Sequence, residues 1–243
     1  YWRSNIGSTL TYRTEITEWP VAGTVLRQNK HHSYVDNNAL TPTDPWPLGA
    51  TDLGESTVLT DTDEPLGGAE RLRIRMTVAV INSSLPVSSQ AFRLQYGERV
   101  SSCSAITSGD WFTLGDSAST TSLWRGYAAT GTTDGTPLSG DPPTGGDLKI
   151  RVVAEVAGSF EEENDSVVNP YRVEENEDVE YDWLVEQNNA VADTMYCFRM
   201  VKADGSTLDG YLDYPQARTA PFAPVSQNWR WYDDEGGETP VVP

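Results

Sequence analysis

Apolar side chains recur at every second position through most of this chain, and the three-to-four spacing of a helix is nearly absent. Leu72, Ile74, Met76, Val78 and Val80 alternate with Arg71, Arg73, Arg75, Thr77 and Ala79. Phe92, Leu94 and Tyr96 repeat the pattern, as do Ile150, Val152, Ala154 and Val156. Val179, Tyr181, Trp183 and Val185 alternate with Glu180, Asp182 and Glu186. Tyr196, Phe198 and Met200 follow, then a strand-like run from Leu208 to Tyr214 after an Asp204-Gly205 turn. Side chains of a strand point alternately to its two faces, so each run predicts a strand with one apolar and one wet face. Sheets of that kind bury their apolar faces against each other. The expectation is all-β: an antiparallel β-sandwich of about seven to nine strands, with extended N- and C-terminal strand arms.

Charge narrows the partners. The chain carries 36 Asp and Glu against 17 Lys and Arg, a formal net charge of −19. A nucleic-acid backbone would be repelled, so nucleic acid is not an expected partner. Fourteen of the basic residues are arginines, several inside the alternating runs, where a planar guanidinium can pair with carboxylates. Segment 161–182 holds ten carboxylates and one arginine and reads as a solvated loop and strand face. No apolar run is long enough to span a bilayer as a helix. Cys103 and Cys197 each flank strand-like sequence, which predicts one structural disulfide and an oxidising, extracellular setting. Two free buried thiols are the alternative.

The ends of the chain read differently from its middle. Thr9 to Thr17 is good strand sequence, with Leu10, Tyr12 and Ile16 on one side, and Trp19-Pro20 ends it. Val21 to Lys30 reads as a connector. Ala220 to Val225 is a proline-spaced linker leading to a tail. In that tail Trp229-Arg230-Trp231-Tyr232-Asp233, with Thr239-Pro240 after it, loosely repeats His32-Ser33-Tyr34-Val35-Asp36 and Thr41-Pro42. A second copy of an early strand suggests the start of another repeat or a strand meant for a neighbour. The expected organisation is therefore an arm and connector over 1–30, a sandwich domain over 31–219, and a linker and strand tail over 220–243.

Several blocks, in order, resemble a known pattern. They are Phe92-Arg93-Leu94-Gln95-Tyr96-Gly97-Glu98-Arg99 with Cys103-Ser104-Ala105-Ile106, Tyr196-Cys197-Phe198-Arg199-Met200-Val201 with Asp204-Gly205, and Tyr211 with Tyr214-Pro215. Asn38 to Pro47, Trp124-Arg125-Gly126-Tyr127 and Glu161-Glu162-Glu163-Asn164 fit the same series. Over residues 32 to 240 the chain resembles the repeated extracellular β-domains of large bacterial cell-surface proteins known from environmental genomes. The resemblance implies a surface location and a sandwich, and it brings no catalytic residues. In that family a segment like Asn228–Pro240 opens the next domain, and the arm before Lys30 has no counterpart.

Catalytic chemistry finds little support. The only histidines, His31 and His32, are adjacent, so a strand sends them to opposite faces. Neither accompanies a nucleophile motif, and no enzyme is expected. Calcium, which takes oxygen ligands, has weak candidates in Asp61, Asp63 and Glu64, or in Glu161, Glu162, Glu163 and Asp165; no other cofactor is indicated. Asn82-Ser83-Ser84 and Asn164-Asp165-Ser166 are glycosylation sequons. Trp46, Trp111 and Trp124 lie in or beside loops and could contact surface glycans.

The leading expectation is an extracellular structural subunit that polymerises head-to-tail with copies of itself into a pilus-like filament by donating a terminal strand. Trp229, Trp231 and Tyr232 are the first choice of donor, and Leu10, Tyr12 and Ile16 the second. The alternative is an adhesive or glycan-binding module of a tandem-repeat protein.

Overall fold

The computed structural model describes residues 23–43, 46, 65–66, 71–138 and 155–221. Eleven strands form among them: β1 (Val25–Val35), β2 (Arg71–Ile81), β3 (Phe92–Glu98), β4 (Phe112–Thr113), β5 (Trp124–Gly126), β6 (Thr136–Pro137), β7 (Glu155–Glu161), β8 (Asp178–Gln187), β9 (Met195–Lys202), β10 (Gly210–Tyr211) and β11 (Gln216–Arg218). Seven make one sheet in the order β10-β1-β2-β8-β7-β6, with β5 also paired to β8; four make a second, in the order β11-β9-β3-β4. Most neighbours are antiparallel, while β7 on β8 and β10 on β1 are parallel. The two sheets pack into the expected sandwich. The strand count exceeds seven to nine because β4, β5, β6, β10 and β11 are two or three residues long, too short to show a period.

The alternation of β2 builds the core. Leu72, Ile74, Met76, Val78 and Val80 are all fully buried and meet Phe92 and Leu94 of β3 and Phe198 and Met200 of β9. Burying such side chains contributes roughly 1.5–3 kcal/mol each. Trp124 and Trp183 sit in the same cluster; Trp124 meets Phe198 edge-on with ring centroids 5.0 Å apart. A buried amide ties the two sheets together. Gln28 of β1 donates from Nε2 to the Asp213 carbonyl at 2.5 Å and accepts from the Met200 amide at 2.7 Å.

Three expectations need correction. Residues 21–30 are not all connector, because β1 begins at Val25; its polar members Arg27, Gln28, Asn29 and Lys30 hide the strand from a hydrophobicity reading. The run from Leu208 to Tyr214 forms only the two-residue β10, where Gly210 and Tyr211 run parallel to Arg27 and Gln28. The third concerns the wet faces of β2 and β8, which are not wet. Arg73, Arg75, Glu180 and Asp182 are completely buried, because loop 36–43 and a small cluster of Leu138, Phe160 and Leu184 cover that side of the sheet. The Asp204-Gly205 turn does form: Gly205 adopts φ of +86° and Lys202 accepts its amide proton at 2.8 Å.

Candidate functional site

Two carboxylates of the acidic stretch, Glu180 and Asp182, belong to an internal ion network, while Asp165, Glu174 and Glu175 are exposed as expected. Arg73 donates from Nε to Asp182 Oδ2 at 2.7 Å and from Nη2 to the Leu40 carbonyl at 2.7 Å. Arg75 donates to Glu180 Oε1 at 2.6 Å and to the Leu40 carbonyl at 2.9 Å, and its Nε lies 2.8 Å from Asp182 Oδ2. Burial works against the charge of Arg75, but Asp182 and Glu180 outweigh it and hold the guanidinium ionised. At the top of this face Arg71 lies 3.6 Å over the Tyr127 ring, and Arg125 donates to Glu186 at 2.7 Å. Each guanidinium is matched by a carboxylate, so the network holds the sheet and its covering loop together.

Glu161 is the exception. It is fully buried at the end of β7, with Oε1 accepting from the Ser159 hydroxyl and the Val167 amide, while Oε2 has no hydrogen-bond partner among the described residues. Burial pushes its carboxyl up to about 8, with Asp134 and Asp182 adding repulsion. Burial, and then Glu161, also raises the Tyr181 phenol, whose hydroxyl likewise has no partner among the described residues.

The other calcium candidates do not converge on it. Glu162 accepts from the Ala129 amide at 2.6 Å, Glu163 from the Ser117 amide at 3.0 Å, and Asp165 from Arg93 Nη2 at 2.9 Å. Among the described residues no group of three or more His, Cys, Asp or Glu gathers as a metal cage. Asp61, Asp63 and Glu64 lie outside the described residues.

His31 and His32 part to opposite sides, as expected. His31 Nδ1 lies 3.0 Å from Asp213 Oδ2, and His32 stacks on Tyr34 at 4.5 Å. The loop tryptophans are not binding platforms: Trp46, Trp111 and Trp124 are all buried. Trp111 stacks on Tyr214 and supports Arg199, 4.3 Å from its ring. Asn164 is a poor sugar acceptor because its side chain is used structurally. It donates to the Leu94 and Leu114 carbonyls at 3.1 and 3.0 Å and accepts from the Leu94 amide at 3.0 Å, standing in for a strand beside β3. Asn82 is exposed, at φ of +71°, just past the end of β2.

The disulfide forms as expected between Cys103 and Cys197, with Cα atoms 5.7 Å apart. It pins the short 310 turn Cys103–Ala105 to β9 and packs with Trp111, Ile106 and Tyr214. That turn walls an open groove of about 410 Å3, lined by Glu98, Val100, Ile106, Asp110 and Phe112. Val100 is 92% exposed and Phe112 54% exposed, leaving a large apolar area in water. Glu98 and Asp110 add carboxylates to its lining, the latter accepting from the Thr107 hydroxyl at 2.6 Å. Phe112 belongs to β4, the last strand of its sheet; two residues past the end of β4, Gly115 donates to the Trp124 carbonyl at 3.0 Å and accepts from the Gly126 amide at 2.8 Å, so among the described residues only the short stretch Phe112–Thr113 has no strand on its far side. Nothing in the hydrophobic pattern marks this groove, since Val100 and Phe112 stand in loop-like sequence.

The groove has a definite place along the sandwich. Val35 pairs with Leu72, Leu72 with Val185, and Trp124 with Gln187, so these residues share one end. Trp124 meets Tyr196, which pairs with Glu98, so the groove lies at that end as well. Val25 pairs with Ile81 and lies at the opposite end. Ala220 accepts from the Asp193 amide next to the Arg218–Met195 pair, so the chain leaves β11 at the groove's end but on the far edge of the sheet.

The proposed donor residues Leu10, Tyr12, Ile16, Trp229, Trp231 and Tyr232 lie outside the described residues. No helix among the described residues is long and apolar enough to cross a membrane. Comparisons with protein-family models, curated proteins and solved structures find no match for the chain.

Proposed function

We propose that this protein is an extracellular structural subunit that polymerises head-to-tail with copies of itself, each subunit donating a terminal strand to the next. The observation that supports this most is the short open stretch of margin at β4. A two-residue edge strand, joined to β5 only from Gly115 onward, beside a groove with exposed Val100 and Phe112, leaves a short length of backbone and hydrophobic surface for one more strand. Main-chain hydrogen bonds would give such a strand affinity, and alternate side chains in the groove would set its register. The closed disulfide suits an oxidising exterior. Electron microscopy of the intact protein and of variants lacking residues 1–17, residues 226–243, or both tests this reading. Ordered filaments from the intact protein, lost on removing at least one terminus, are the expected result; filaments from the doubly shortened protein would refute it.

One observation favours the second reading, a module within a tandem surface protein. The tail motif at Trp229–Asp233 repeats His32–Asp36, and the position of that motif in the sheet is already filled by β1, paired with β2 from Val25 to Val35. A copy of β1 that cannot replace β1 is what the first strand of a following domain would be. Glycan contact through Trp46, Trp111 or Trp124 is not part of this reading, because those rings are buried.

A further inference from the structure

We infer that the outer face of the second sheet carries a binding site for a single acidic sugar residue, with Arg199 as its cation and Tyr211 and Tyr214 as its platform. The site stands apart from the strand margin at β4 and does not rest on the strand-donation reading.

The first observation is a charge. Arg71, Arg73, Arg75, Arg93 and Arg125 each lie within ion-pair distance of a carboxylate. Arg199 has none at that distance among the described residues, and its Nε and Nη2 donate instead to one neutral oxygen, Gln95 Oε1, at 3.0 and 2.8 Å. Its Nη1 makes no hydrogen bond among the described residues. Burial draws Arg199 down from the ordinary guanidinium value, and Tyr211 and Tyr214 offset this only in part. A guanidinium keeps its proton all the same, so a half-buried cation stands here without a carboxylate. That is a place for an anion from outside.

The second is the setting. Phe198 and Met200 belong to the core, so Arg199 between them points out of the sandwich, beside Gln95, its register partner on β3. Its guanidinium lies 4.3 Å over the Trp111 ring and 5.6 Å from that of Tyr211. Tyr214 stacks on Trp111 at 5.9 Å and on Tyr211 at 5.5 Å, at interplanar angles of 20° and 17°. Trp111 is buried and acts only as support, whereas Tyr211 and Tyr214 are half-buried and meet solvent. The Tyr211 hydroxyl donates to the Met200 carbonyl at 2.9 Å and accepts from the Leu208 amide at 3.1 Å, which fixes that ring. The Cys103–Cys197 bridge packs against Trp111 and Tyr214. The arrangement is therefore set before any ligand arrives.

A uronic acid presents one carboxylate, a face of C–H bonds and several hydroxyls. Its carboxylate suits the free edge of Arg199. The C–H face suits the electron-rich faces of the two tyrosines. A sugar hydroxyl suits the Tyr214 hydroxyl, which makes no hydrogen bond among the described residues. A polyanion is a poor fit, because a net charge of −19 repels it, so the ligand is a lone acidic sugar on an otherwise neutral glycan.

Saturation-transfer NMR of the intact protein with methyl β-glucuronide, methyl β-glucoside and benzoate tests this. Saturation should pass to the glucuronide, and the glucoside should bind about tenfold more weakly, the worth of a hydrogen bond to a charged group. Arg199→Gln should weaken glucuronide binding by about tenfold. Tyr214→Phe keeps the ring and its stacking, guards against a folding defect in the first variant, and should weaken binding severalfold. Benzoate binding as tightly as glucuronide would overturn the sugar assignment. Equal affinity for glucuronide and glucoside, or affinity unchanged in both variants, would overturn the roles of Arg199 and Tyr214. No saturation of the glucuronide would overturn the site.

Discussion

Arg73 donates from Nε to Oδ2 of Asp182 at 2.7 Å, and neither side chain exposes any surface to solvent. Removing one partner strands the other charge in the interior, which costs far more than the pair contributes. Asp182→Ala should destabilise the fold by about 3–5 kcal/mol. Replacing Arg73, Arg75, Glu180 and Asp182 together with apolar residues of similar volume should cost much less. Urea unfolding of the single and combined variants, followed by tryptophan fluorescence, checks the contrast.

Glu161 gives the fold a pH dependence of definite sign. Its folded-state value, pushed up to about 8 from an ordinary 4.5, means that the native protein holds a proton the unfolded chain has released. Its contribution is fully present below about 4.5 and is lost as pH rises towards 8. The slope is at most about 1.4 kcal/mol per pH unit for one proton. Glu161→Gln should flatten that slope and be more stable than the parent at pH 9, as measured by the unfolding midpoint across the range.

Cys103 and Cys197 close a loop across a sequence separation of 94. On the chain-entropy model the bridge is worth roughly 4–5 kcal/mol. Replacing both with serine should lower the unfolding free energy by that order. It should also loosen the turn at Cys103–Ala105, so that amides of residues 103–110 exchange with deuterium faster than those of β2.

Asn164 and Asn82 should behave oppositely although both begin sequons. Asn164→Ala removes three hydrogen bonds to Leu94 and Leu114 and should cost about 3 kcal/mol. Asn82→Gln, exposed but at a φ of +71° that asparagine tolerates better than glutamine, should cost no more than about 1 kcal/mol. In a host that attaches N-linked sugar, the added mass should map to Asn82 alone.

Period-two runs were enough to read β2, β3, β8 and β9, since their inner faces are continuous apolar ladders. The disulfide was legible for the same reason: both cysteines flank such ladders. The covered outer face was not. Arg71, Arg73 and Arg75 on β2 and Glu180 and Asp182 on β8 look like solvated charge until the two strands are known to be neighbours. Opposite charges at matching two-residue spacing were the available signal that they pair. The start of β1 escaped notice because Gln28 is buried through hydrogen bonds rather than hydrophobicity. The groove depends on β4, a two-residue strand, and on a turn held by a disulfide between residues far apart in sequence; no local pattern encodes either.

Cryo-electron microscopy of the native assembled protein tests the central claim most directly. The account predicts extended density from one subunit running alongside Phe112 and Thr113 of the next, with side-chain density between Val100 and Ile106. A map in which β4 stays bare, and both termini pack only on their own subunit, would contradict it.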